Sequence, residues 1–184
     1  MDDAWQGSLY ELTLEQARGS AVAGSQATVR RSGDTVDFEI RTSGLTPGNA
    51  YTVWLMAFNN PNACKGDGAP NAFRCGPGDM GNPEAGFTLM FGGTGGVADS
   101  DTMEFRGQHA QGDGAGVELG TPGLLDAAAA EVHLRVRDHG PAQPGLEEDQ
   151  VATLMGGCTD DSPPGAGSGR HGTYPCRDVQ ATGM

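Results

Sequence analysis

Lysine is nearly missing from this chain. Lys65 stands alone against ten arginines and twenty-four acidic residues, and the formal net charge is −13. A surface so poor in positive charge argues against nucleic acid and anionic membranes as partners. Aromatics are scarce at 6%, and hydrophobic residues reach only 36%. Long Leu- and Ala-rich periodic segments are absent, which excludes a helical bundle. No apolar run is long enough to span a bilayer. Also missing are a CxxC pair, a GxSxG elbow, an HExxH helix and an N-x-S/T sequon, so the usual signatures of zinc ribbons, serine hydrolases and zincins do not apply. The GGTGG run at Gly92–Gly96 lacks the Gly-Lys-Ser/Thr ending of a phosphate loop and reads as a wide turn between strands. The opening MDDAWQGSLYEL carries acidic residues where a basic n-region would stand, so it reads as a mature sequence with an added start methionine.

What is abundant is glycine, with 31 residues, and period-2 alternation. Asp34–Arg41 reads DTVDFEIR, with Val36, Phe38 and Ile40 on one face. It follows Gln26–Arg31 across Ser32-Gly33, a hairpin turn. Tyr51–Phe58 is apolar on both faces and belongs at the centre of its sheet. Further strands are expected at Ser8–Leu14, Gly86–Phe91, Thr102–Gly107, Gly116–Gly120, Glu131–Arg137, Gln150–Met155 and Asp178–Thr182, with about one turn of helix near Leu124–Ala130. Short strands between Gly/Pro turns imply an all-β, immunoglobulin-like antiparallel β-sandwich, one domain over residues 1–184. Two connections, Asn59–Ala85 and Gly156–Pro175, are far longer than usual, so they are functional, disulfide-held, or both. The arginine and acid bias reflects genomic codon usage or an acidic surface suited to salty surroundings.

The four cysteines fall in two local pairs. Cys64 and Cys75 bracket one turn-rich loop; Cys158 and Cys176 bracket the other. Disulfides Cys64–Cys75 and Cys158–Cys176 would each remove roughly 3 kcal/mol of unfolded-state loop entropy. The rival reading is a zinc site with four thiolate ligands. Disulfides imply an oxidising compartment, hence a secreted or periplasmic protein.

SGLTPGNAYTVWLMAFNNPNAC resembles a group of bacterial exported proteins of unassigned role, in which a Gly-Leu-Thr-Pro-Gly turn leads into a Tyr-Thr-x-Trp strand, then Asn-Asn-Pro and a cysteine. AEVHLRVRDHGPAQPGLEEDQVATLMGGC resembles a second signature of that group, a Glu-Val-His strand, a His-Gly-Pro turn and a Gly-Gly-Cys ending. The resemblance implies an exported β-sandwich and no particular activity. The first strands, LYELTLEQARGSAVAGSQATVRRSGDTVDFEIRTSGL, are similar to chordin-type domains in their strand–turn–strand pattern.

Three histidines are the leading chemical candidates. His133 lies on the outer face of Glu131–Arg137, His139 follows in a DHGP turn, and His109 lies just past another strand. If those strands pair, the three imidazoles converge at one edge and suit Cu or Zn, with Asp138 orienting a histidine and Met80 or Met103 as a further ligand. Their structural alternative is a cross-strand carboxylate pair for His133 and a turn hydrogen bond for His139. Glu131, Arg135 and Arg137 share a face, so Arg135 and Arg137 are candidates for binding an anionic ligand, or else form cross-strand ion pairs. Acidic loops at Asp99–Asp101, Glu147–Asp149 and Asp160-Asp161 are weaker candidates for Ca²⁺. Trp54 and Tyr51 sit on the central strand and read as core. The sequence therefore points to a non-enzymatic binding or interaction module acting outside the cytoplasm on an extracellular protein, surface or metal ion. The alternatives are a Cu/Zn-binding or redox protein and a structural subunit of an extracellular assembly.

Overall fold

A computed structural model describes residues 3–13, 18–66, 73–120, 123–159 and 167–183. They form two antiparallel sheets packed as a β-sandwich. The smaller sheet orders β1 (Asp3–Gly7), β4 (Gln26–Ser32), β5 (Thr35–Thr42) and β8 (Met103–Ala110) as β1-β4-β5-β8. The larger adds β2 (Tyr10–Leu12), β3 (Arg18–Ala21), β6 (Asn49–Phe58), β7 (Phe87–Val97), β9 (Val117–Gly120), β10 (Glu131–Pro141) and β11 (Arg177–Gly183), in the order β3-β2-β11-β10-β6-β7-β9.

Alternation decides which side chains enter the space between the sheets. Val29, Val36, Phe38, Ile40 and Phe105 come from the small sheet; Val53, Leu55, Met90, Val132, Leu134 and Val136 come from the large one. Each such side chain contributes about 1.5–3 kcal/mol on leaving water. The doubly apolar β6 lies between β10 and β7, and all ten of its residues are buried. The reason is a second apolar layer on the far side of the large sheet. There Trp54, Met56, Phe58, Phe87 and Leu89 pack against Leu154, Met155 and the cysteines. Parts of the long loops supply that layer, so β6 is dry on both faces.

Four local expectations change. The β4–β5 hairpin turns at Gly33-Asp34, one residue later than expected, with Ser32 paired to Thr35 and Gly33 at φ 58°. The segment expected as a strand at Gln150–Met155 is a short helix, α1 (Glu147–Gln150), followed by turns. Its three acidic residues fill the first turn, where the amide dipoles favour negative charge. Gly92–Gly96 is no turn: it continues β7, with a register shift against β6 between Thr52 and Trp54. Backbones there approach too closely for side chains. A Cβ on Gly92 would lie 2.7 Å from the Val53 carbonyl oxygen, and one on Gly95 would lie 2.1 Å from that of Val151. Finally, β1 and β3 are strands that the alternation did not announce, because each is short and its residues are mostly polar or small.

Candidate functional site

The outward-facing residues of β10 carry most of the chain's chemistry. Glu131, His133, Arg135 and Arg137 alternate along one strand, His139, expected in the turn that follows, continues the row, and the first four were expected to face solvent. They do not. His133 is 2% exposed, Arg135 6%, Arg137 3% and His139 0%. The described parts of the two long loops fold over them; Glu131, bonded to His133, fastens the first to the sheet, and His139 fastens the second.

The first cover comprises the described residues 59–66 and 73–86 and is closed by the Cys64–Cys75 disulfide. Glu131 grips it. Its Oε1 accepts from the Cys75 amide at 2.8 Å and its Oε2 from the Arg74 amide at 2.9 Å. His133 donates its Nε2–H to the same Oε1 at 2.8 Å. A carboxylate can only accept, which places that proton on Nε2. The imidazole lies between Phe58 and Phe73, with centroids 5.6 and 4.6 Å away. Burial pushes the His133 pKa down, against the upward pull of Glu131. For Glu131, burial acts upward, but hydrogen bonds from His133, Cys75 and Arg74 hold the carboxyl below its ordinary value. Asp79 organises the loop interior. Its carboxylate accepts from the Lys65, Gly66 and Gly76 amides at 2.7, 3.2 and 2.9 Å.

The second cover is closed by the Cys158–Cys176 disulfide, and His139 and Arg137 hold it. His139 Nδ1 lies 2.8 Å from the Gly156 carbonyl oxygen, and Nε2 lies 2.8 Å from Thr52 Oγ1. A carbonyl cannot donate, so Nδ1 carries the proton and Nε2 accepts from the Thr52 hydroxyl. Thr52 Oγ1 in turn accepts from Trp54 Nε1–H at 2.7 Å. The result is one directed chain, Trp54 to Thr52 to His139 to Gly156. Burial drives the His139 pKa down to about 4. Arg137 donates Nε–H to the Leu154 carbonyl at 3.0 Å and an Nη1–H to Asp178 at 3.2 Å. Gln150, fully buried, donates to the His139 and Pro141 carbonyls and accepts from the Gln143 amide. Gly140, at φ 74°, is required because a Cβ there would fall 2.1 Å from the Tyr174 ring.

The three histidines expected to converge are therefore held apart. His133 and His139 stand six residues apart on one strand, about 20 Å at the usual rise. His109 sits in the other sheet, opposite Val36 on β5, facing the sandwich interior. It is 6% exposed, and its Nε2 has no hydrogen-bond partner among the described residues. Burial lowers its pKa, partly offset by Asp113. Among the described residues, a different trio comes within metal-ligand distance: His139, Cys158 and Cys176. Met80 packs at the edge of the outer core and Met103 against the inner one. Asp138 does not orient a histidine. It accepts from Asn49 at 3.1 and 3.2 Å and from the Gly140 amide at 2.7 Å. Burial raises its pKa. It lines a polar cleft of about 260 Å³ with Glu11, Tyr51, Arg177 and Gln180.

The other candidates have ordinary employment. Arg137 is an ion-pair partner of Asp178 across the β10–β11 ladder. Arg135 lies beside Tyr10 and His133, and its charge acts on both. Of the acidic loops, Asp99–Asp101 forms an exposed bend in which Ser100 bonds Thr102. Glu147–Asp149 opens α1, with Asp149 paired to Arg170. Asp160-Asp161 lies outside the described residues.

The bare outer face of the small sheet is the open surface. Thr28, Arg30, Asp37, Glu39, Arg106 and Gln108 line a shallow hollow of about 380 Å³ there. Arg106 binds Glu39 through Nε and Nη2 at 3.1 and 2.7 Å, and Gln108 donates to Asp37 at 2.6 Å. Nothing in the sequence singled out this hollow, because its residues read as the solvated side of ordinary strands. No protein-family model matches the chain, and no curated protein or solved structure shows significant similarity to it.

Proposed function

We propose that the protein is a secreted or periplasmic, non-enzymatic binding module that meets its partner through the open face of the small sheet. The observation that carries this reading is the contrast in employment of polar groups. His133, His139, Arg137 and Glu131 are buried and engaged in holding covers. Arg30, Asp37, Glu39, Arg106 and Gln108 around the hollow, by contrast, are presented to solvent on a rigid sheet, with Thr28 buried beneath them. Side chains on strands hold their geometry better than side chains on loops, which suits recognition. Donors and acceptors of both signs alternate there, so the matching ligand is polar and hydroxyl- or charge-rich. Two disulfides support an oxidising compartment, and no described helix is long and apolar enough to cross a membrane.

The test is sedimentation of purified protein with insoluble cell-envelope polysaccharide, together with titration of a panel of soluble neutral and acidic glycans. Wild type is expected to bind, and Arg30→Ala with Arg106→Ala to lose at least about tenfold in affinity, equal to roughly 1.4 kcal/mol. Binding that survives the double substitution removes the open face as the contact surface.

A further inference from the structure

The second disulfide has an unusual neighbour. His139 Nδ1 lies 3.8 Å from Cys158 Sγ and 3.8 Å from Cys176 Sγ, so the imidazole nitrogen stands equidistant from the two sulfurs. All three potential ligand atoms lie within 4.8 Å of one another. In a tetrahedral zinc site, with Zn–S about 2.3 Å and Zn–N about 2.0–2.1 Å, ligand atoms stand about 3.5–3.8 Å apart. Both nitrogen-to-sulfur edges of such a tetrahedron are thus already present. The sulfur-to-sulfur edge has to open, and Nδ1 has to give up its bond to the Gly156 carbonyl.

We propose that reduction of Cys158–Cys176 turns this position into a zinc site, with the two thiolates and His139 Nδ1 as ligands. The site is independent of the open face assigned to binding above. Its assembly balances as follows. A dithiol reductant passes two electrons and two protons to the protein disulfide, giving two thiols, and is itself oxidised to a disulfide. Zn²⁺ then displaces both thiol protons to solvent. Histidine stays neutral: its proton leaves Nδ1, ending the bond to the Gly156 carbonyl, and is taken up at Nε2, which then donates to Thr52 Oγ1 while the Thr52 hydroxyl hydrogen turns away from the ring. That leaves the ring anchored from behind, as metal-binding histidines commonly are. Two thiolates and a neutral imidazole around Zn²⁺ sum to zero charge, which a buried position tolerates far better than a bare ion.

More than the S–S bond holds the covering segments together. The Gly157 amide donates to Arg170, Gly172 to Cys158, Tyr174 to Gly157 and Thr159 to Tyr174, all through backbone carbonyls at 2.8–3.2 Å. Cys158 and Tyr174 also form a parallel bridge. Reduction therefore cuts one of several links between the two cysteine strands. Access has a direction as well: Cys176 is 7% exposed and Cys158 0%, so an incoming thiolate meets Cys176 first. The other disulfide, Cys64–Cys75, belongs to no such trio among the described residues and serves as an internal control.

The experiment uses the full chain under anaerobic conditions. A phosphine replaces the dithiol because it does not chelate zinc; it takes up the oxygen of water while the disulfide gains the two electrons and protons. Zn²⁺ is titrated into oxidised and reduced protein, and iodoacetamide then maps the free thiols. Expected is one Zn²⁺ per reduced chain, bound at least about a hundredfold more tightly than to the oxidised chain. Cys158 and Cys176 should be protected while Cys64 and Cys75 are alkylated. His139→Asn should weaken binding at least about tenfold. Co²⁺ in place of Zn²⁺ should show thiolate-to-metal charge-transfer absorption in the reduced wild type, a signature that does not depend on the variant folding. The proposal is overturned by equal alkylation of all four cysteines in the presence of zinc, by loss of the β circular-dichroism signal on reduction, by absence of the Co²⁺ bands, or by a His139→Asn chain that binds as tightly as wild type.

Discussion

The outer faces of the two sheets are built from the same alternating pattern and end in opposite environments. On the small sheet, Asp37, Glu39, Arg41, Glu104, Arg106 and Gln108 line up in cross-strand rows and face water. On the large sheet, Glu131, His133, Arg135, Arg137 and His139 do the same along β10 and lie under two disulfide-closed loops. A charge facing water costs little and contributes little. A buried one must be answered by name, as Glu131 is by two amides, Arg137 by a carbonyl and a carboxylate, and His139 by a carbonyl and a hydroxyl. Burial has made the polar row of β10 into fasteners, while exposure leaves the row on β5 and β8 available for binding.

The contrast can be broken most forcefully at the covers. Replacing Cys158 and Cys176 together by Ala should cost about 3 kcal/mol or more, since a native disulfide and buried packing go together. Urea denaturation of the oxidised chain measures it. A loss under about 1 kcal/mol would mean that the cover contributes little to the outer core. Acid is nearly as strong a lever. In the unfolded chain a histidine titrates near 6.5, whereas native His139 titrates at about 4. Between those values the unfolded state holds a proton that the native state lacks. Stability therefore rises with pH across that window, is complete above about 6.5 and is lost progressively below it. The full effect is on the order of 3 kcal/mol. His133 and His109, also depressed by burial, act in the same direction. His139→Asn should flatten the slope of unfolding free energy against pH without abolishing it; an unchanged slope would show that His139 is not the group responsible.

A third lever separates the two covers. Glu131→Gln keeps the shape of the side chain but removes the charge that three donors share. It should cost about 1–3 kcal/mol and raise amide hydrogen exchange at Arg74 and Cys75, leaving the Gly157 and Tyr174 amides of the second cover as protected as before. Faster exchange throughout both covers would mean that they open as one unit.

These fasteners also mark where the sequence stops being informative. The strands were legible because Val36, Phe38, Ile40, Val132, Leu134 and Val136 repeat with period two, and the disulfides because each cysteine pair brackets one loop. The doubly apolar Tyr51–Phe58 marked the centre of its sheet, where β6 lies between β10 and β7. What alternation cannot state is whether a polar residue meets water or a loop. His133 and Arg137 have the same local pattern as Glu39 and Arg106, and only the path of the distant cover distinguishes them. Thr52, Gln150 and Gly140 escaped notice for the same reason: their partners are Trp54 and His139, the His139 and Pro141 carbonyls, and the Tyr174 ring. Gly92–Gly96 was misread because glycine marks both turns and close backbone approach, and spacing alone does not separate the two. The three-histidine centre failed on strand geometry, since residues six apart on a strand share a face without sharing a ligand.

The smallest effect is the one that keeps the two faces distinct. Arg106 and Glu39 form the closest ion pair of the open face, yet their side chains are 71% and 45% exposed. In that setting the Coulomb gain is screened, and ordering two long side chains offsets much of the rest. Arg106→Ala should therefore change unfolding free energy by less than about 1 kcal/mol, and the difference should shrink further as salt is raised. Arg137→Ala is the matched measurement on the covered face. It leaves the buried Leu154 carbonyl and the partly exposed Asp178 without their guanidinium donor, so it should cost several-fold more and respond less to salt. A single denaturation series at two salt concentrations reads both. If Arg106→Ala proves as costly as Arg137→Ala, the open face is a structural element like the covered one, and the argument for it as a free recognition surface falls with it.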